Sequence, residues 1–172
     1  MNLNEWVGYD TLCKQWNVLL RPHIPMKLLL TKIRKLDCGW NERALDENDF
    51  FRLCSKHSIT VIETAQQTSG FYFSVSGKHF ISVSGALRGP RRLFVMFHEF
   101  AHFFLHAPYA AAHFKGVGTK TRQEIEADLF AACAILPQRM IAENSAQALV
   151  EELGFPEDLI ADRITLFSSY GI

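Results

Sequence analysis

Cysteine is scarce in this 172-residue chain: Cys13, Cys38, Cys54 and Cys133 stand apart, with no C-x-x-C pair among them. So thin a supply excludes a disulfide framework, and the four read as reduced thiols of a cytoplasmic protein. An excess of charge of either sign is also missing, since eighteen Lys and Arg balance eighteen Asp and Glu. Nothing therefore draws the chain to phosphate backbones or anionic lipid, and direct nucleic-acid binding is not expected. Long apolar runs are absent too. The run at residues 93–97 is stopped by His98 and Glu99, and no run in the chain approaches the roughly 20 residues a membrane helix needs. The start carries Glu5 and Asp10 and no apolar stretch after a basic one, which is unlike a secretory signal. No repeat and no low-complexity tract divides the chain. What it has is a 48% hydrophobic composition with fourteen Phe, enough to fill the core of one domain spanning 1–172.

Periodicity divides that domain into three parts. Residues 1–45 form a helical segment: Leu12, Trp16, Leu19 and Leu20, then Met26, Leu29, Leu30 and Ile33, recur at helical spacing, with Pro22 and Pro25 bending the path. Asp46 with Asp49 three residues on marks a helix start, after which Phe50, Phe51, Leu53 and Cys54 supply a buried side. Residues 58–84 change period. The runs 58–64, 70–76 and 78–84 are β-branched or aromatic and predict a small antiparallel sheet. Residues 91–172 are helical again. Gly89 and Pro90 open a helix over 91–106 that is apolar in nearly every direction, hence buried. A loop over 107–119 leads to an Ala-rich helix over 122–136, closed by Pro137, and further helices follow over 142–153 and 157–170. The order gives an α+β fold, a small sheet packed on a helical core.

Inside the buried helix stands His98-Glu99-Phe100-Ala101-His102, the H-E-x-x-H pattern. At about 100° per residue the two histidines lie one turn apart on nearly the same face, so both imidazoles can reach one metal ion. Glu99, about 100° round the helix, is kept from direct ligation yet stays close enough to take a proton from a water on the ion. Two histidines and a glutamate in so greasy a helix would leave buried polar groups without partners, at roughly 1–3 kcal/mol each, unless something binds them. Zinc is the ion these ligand types favour, and manganese or iron also suits two histidines and a carboxylate. The third ligand is sought among Glu124, Glu126 and Asp128. Glu124 shares a helix face with the small residues Ala127 and Ala131, which allow close packing, and is preferred. Asp128 then suits a hydrogen bond to the far nitrogen of a ligating histidine, while Glu126 reads as a solvated charge. His106, Tyr109 and His113 all remain candidates for stabilising an oxyanion, and Cys133 reads as a buried structural thiol.

The stretch HEFAHFFLH at 98–106 followed by EIEADLFAACAILP at 124–137 resembles the ImmA/IrrE family of zinc metallopeptidases, and the similarity extends over about residues 45–172. The resemblance implies a minimal zincin-like fold, His98, His102 and Glu124 as zinc ligands, and Glu99 as the catalytic glutamate. Asp128 departs from the pattern, which has Asn there. The resemblance further implies a cytoplasmic zinc endopeptidase whose substrate is a separate helix-turn-helix repressor of the XRE type, so that cleavage regulates transcription as an anti-repressor does. The competing expectation is a zinc-fold binding module or toxin-antitoxin component that grips its regulator without hydrolysing it.

Overall fold

A computed structural model describes residues 26–65, 67–107 and 121–172. The helix expected across Leu12 to Leu20 lies outside them, as do Tyr109 and His113. Helix α1 (Met26–Arg34) buries Leu29 and Ile33, one turn apart. Helix α2 (Glu47–Lys56) starts where Asp46 and Asp49 place it. The Asp46 carboxylate accepts from the Asp49 N–H at 2.9 Å and Asp49 accepts from the Asp46 N–H at 3.2 Å, a reciprocal capping box. Arg43 grips the same Asp49 carboxylate through both terminal nitrogens, at 2.6 and 2.7 Å. Phe50, Leu53 and Cys54 point inward. Phe51 does not: it lies about 100° from Phe50 and is 44% exposed.

The sheet holds β1 (Ile59–Thr64), β2 (Gly70–Val75) and β3 (Lys78–Ser84), in the order β1-β3-β2. The hairpin of β2 and β3 is antiparallel as expected, turned by Ser76 and Gly77, both at positive φ in the manner of a type I′ turn. The all-antiparallel expectation fails at β1, which pairs with β3 in parallel, Ile59 opposite His79 through Thr64 opposite Ser84. Burial fits the strand order. Strand β3 is buried from Ile81 to Ser84 on both faces, as a central strand is, while β2 keeps exposed positions and takes an edge. On the outer face Phe73 stacks on Phe80 with ring centroids 5.0 Å apart.

Against the inner face lies α3 (Gly89–Ala101), in which every residue from Val95 to Ala101 is buried. The single α-helix expected to run through 106 changes pitch at His102, and His102–His106 form a π turn. Such insertions are common at functional sites. Helix α4 (Arg122–Ile135) is capped by Thr121, whose hydroxyl accepts from the Glu124 N–H. Ala127, Ala131 and Ala134 are fully buried, and this small-residue stripe lets α4 pack closely on α3. Trp40 holds the middle of α4 by a 2.9 Å bond from Nε1 to the Phe130 carbonyl and by stacking on the Phe130 ring.

The helix expected over 142–153 is broken into α5 (Gln138–Glu143) and α6 (Ala146–Glu151). Ser145 accounts for the break, because its hydroxyl accepts from the Ala148 N–H and starts a new helix. Helix α7 (Glu157–Tyr170) brings in Arg163, which is wholly buried. Its guanidinium donates to the Leu136 carbonyl (2.8 Å), to the main-chain oxygen of Ile172 (2.6 Å) and to Asn41 Oδ1 (2.9 Å). One arginine thus ties the end of α4 to the segment before α2. Among the described residues no helix is long and apolar enough to cross a membrane.

Candidate metal centre

Helical spacing and the α3–α4 packing together place three side chains around one point. His98 Nε2 and His102 Nε2 stand 3.0 Å apart. From α4, Glu124 brings one carboxylate oxygen to 3.5 Å from His98 Nε2 and the other to 3.3 Å from His102 Nε2. These ligand atoms lie within 4.8 Å of one another, an arrangement no other group of His, Cys, Asp and Glu side chains reproduces among the described residues. A tetrahedral ion with ligands at about 2.0–2.1 Å has ligand–ligand edges of about 3.3 Å. The separations of 3.0–3.5 Å lie near those edges, and with one atom taken from each residue the donors stay within 4.8 Å, so the donor set fits a zinc ion.

Neighbouring groups orient the three. Asp128, one turn along α4 from Glu124, puts Oδ1 2.9 Å from His98 Nδ1. A carboxylate there fixes the tautomer that leaves His98 Nε2 free to ligate. Burial works against a charged His98, yet Asp128 and Glu124 carry its imidazole up to about 9. Conversely, hydrogen bonding to His102 and then to His98 holds the Glu124 carboxyl far below the usual carboxylate range. Both directions have one cause: electron-pair donors crowd a small volume and require a proton or a cation between them.

Glu99 lies beside this group and outside it, as its offset on the helix dictates. Its Oε2 accepts from the backbone N–H of Tyr72 at 2.8 Å. Burial pushes the Glu99 carboxyl above its ordinary range, opposed by the pull of His98 and His102 and by the Tyr72 N–H. A carboxylate so placed is suited to taking up and giving back a proton.

Two residues sit differently from the sequence expectation. Glu126, read as a solvated charge, is buried: its Oε2 is 3.0 Å from His106 Nε2 and its Oε1 accepts from Arg122 Nε at 2.7 Å. His106, a candidate oxyanion donor, is thereby engaged by α4, and burial lowers its imidazole. The π turn is what the helical wheel could not supply, since it changes the direction in which His106 leaves the helix. Tyr72 was missed altogether. Its contribution is a backbone donor, which no residue identity announces, although Gly70 just ahead of it marks a place where another element comes close.

No curated protein and no solved structure matches the chain. A family model described as the IrrE N-terminal-like domain does match, over residues 54–164, a span that takes in β1 through most of α7 and every group of the centre just described. The chain belongs to peptidase family M78, the ImmA/IrrE family that its motifs resemble.

Proposed function

We propose that this protein is a cytoplasmic zinc endopeptidase that hydrolyses a peptide bond in a partner protein, a helix-turn-helix repressor of the XRE type, and so relieves repression. The observation that carries the reading is the convergence of His98, His102 and Glu124 with the Glu99 carboxylate held beside them by the Tyr72 N–H. His98, His102 and Glu124 would hold the ion. When bound, it would supply Lewis-acid polarisation of a peptide carbonyl and acidify a water.

Everything else falls to the chain's own groups. Asp128 orients His98 from Nδ1. Glu99 accepts the proton of the attacking water and delivers it to the departing amide nitrogen, without which the amine is a poor leaving group. The buried surroundings of Glu99 keep bulk water from competing for that proton. The choice of a repressor as substrate is supported by the family and by the balanced charge, which suits a protein that reaches DNA-bound partners without binding DNA itself.

The deciding experiment incubates the zinc-loaded protein with purified XRE-type repressor and reads cleavage by mass spectrometry, with Glu99→Gln alongside. Specific fragments from the native protein and none from Glu99→Gln, each holding one zinc per chain, are expected. Equal repressor inactivation by both proteins with no fragments would replace proteolysis by the binding-module reading.

A further inference from the structure

The ladder between β2 and β3 determines which backbone groups are left over. Ser84 N–H donates to the Ser69 carbonyl at 2.9 Å, so these two form a bonded pair. By alternation Phe71 with Ser82 and Phe73 with Phe80 are the next bonded pairs, while Gly70, Tyr72 and Ser74 turn their backbone groups toward the opposite, unladdered edge. The Tyr72 N–H on that edge is the one that meets Glu99 Oε2.

How α3 comes near enough is explained two residues earlier. A Cβ built on Gly70 would stand 2.6 Å from Val95 Cγ1, 3.0 Å from the Ser82 carbonyl oxygen and 3.3 Å from Glu99 Cγ. Val95 and Glu99 are four residues apart on one face of α3, so the bare Gly70 faces the same stripe of the helix that carries the base. The tightest of these contacts is with Val95, so a side chain at position 70 presses first on the face of α3 that carries Glu99.

We propose that the edge of β2 is the positioning element of the general base: the Tyr72 N–H fixes Oε2 of Glu99, Oε1 is the oxygen that exchanges the proton, and Gly70 is the residue whose missing side chain permits this approach. The inference rests on the assignment of Glu99 as general base. Tyr72 and Gly70 are positioning residues, acting through Glu99. A carboxylate with one oxygen anchored swings less about its last torsion, which keeps the other within the roughly 0.5 Å tolerance that productive proton transfer demands.

Amide hydrogen exchange by NMR on the full chain tests this, with and without zinc, in the native protein and in Glu99→Gln, Glu99→Ala and Gly70→Ala. Although Tyr72 lies on an edge, its amide is expected to be protected in the native protein. Glu99→Gln keeps a carbonyl acceptor and should keep the protection while losing hydrolysis. Glu99→Ala and Gly70→Ala should each speed Tyr72 exchange by about 10-fold or more. Gly70→Ala should also lower kcat, with KM and zinc stoichiometry unchanged, and Gly70→Ala combined with Val95→Ala should recover part of both losses. Identical Tyr72 exchange in native and Glu99→Ala protein overturns the proposal even if Gly70→Ala fails to fold. Full hydrolysis by Glu99→Gln would instead remove the base assignment, whatever the exchange rates show.

Discussion

Asp128 offers the sharpest test of how the centre is tuned, because it stands outside the three converging side chains and reaches them through His98 alone. Replacing it by Ala removes the oxygen 2.9 Å from His98 Nδ1. A hydrogen bond to a charged group is worth about 1.5–3 kcal/mol, and the Asp128 side chain is 24% exposed, which favours the lower part of that span. A loss of about 1.5–2 kcal/mol corresponds to zinc binding weakened by about 10–30-fold, within the range usual for partners of ligating histidines. Asp128→Asn keeps a carbonyl acceptor and should weaken binding by less than about 5-fold. Competitive titration against a chromophoric chelator at fixed pH gives both affinities. An Asp128→Ala protein within about twofold of native affinity, or Asn and Ala variants equally impaired, would refute a hydrogen-bonding role.

Three further outcomes follow from other parts of the molecule. Zinc at 100 times its Kd should stabilise the fold by about 2.7 kcal/mol, raising Tm by about 5–10 °C, and Glu124→Ala should show no such rise in a thermal melt at the same zinc concentration. Arg163→Met leaves the Leu136 carbonyl and the Ile172 main-chain oxygen without their donor and should cost about 3 kcal/mol, seen as a lower urea midpoint at unchanged m; a loss under about 1 kcal/mol would contradict the bonding described. The bond from Arg43 holds the Asp49 carboxyl below its ordinary value, so its stabilisation is complete above the unfolded pKa of about 3.9 and vanishes as pH falls through the lower folded value. The stability gap between native protein and Asp49→Asn, from urea midpoints, should therefore be wide at pH 7 and narrow sharply below about pH 3, and a gap that does not narrow would count against the ion pair.

Where one helix carried the chemistry, the sequence spoke clearly. The four-residue spacing of His98 and His102 and the alanine face shared by Glu124 are properties of a single periodic element, and periodicity survives folding. Capping is equally local, which is why Asp46 marked α2. Three features were not local. The parallel partner of β1 depends on which strand enters the middle of the sheet, and the apolar pattern of β1 suits either orientation. The π turn at His102 redirects the end of the helix, and Glu126 and His106 meet in the interior although a helical wheel sends Glu126 to solvent. The Tyr72 donor belongs to the main chain, identical for every residue but proline, and only the ladder alternation tells which side it faces.

The strand order has a consequence during synthesis. Strand β1 finds no neighbour until β3 has been made some twenty residues later, because β2 never touches it. At the roughly 5–20 residues per second of translation, the β-branched run ITVIET waits on the order of one to four seconds with its edges open. Over that interval the capped helix α2, folded just ahead of it, is the natural shelter for Ile59, and the charge of Glu63 near the strand's end discourages pairing with another nascent chain.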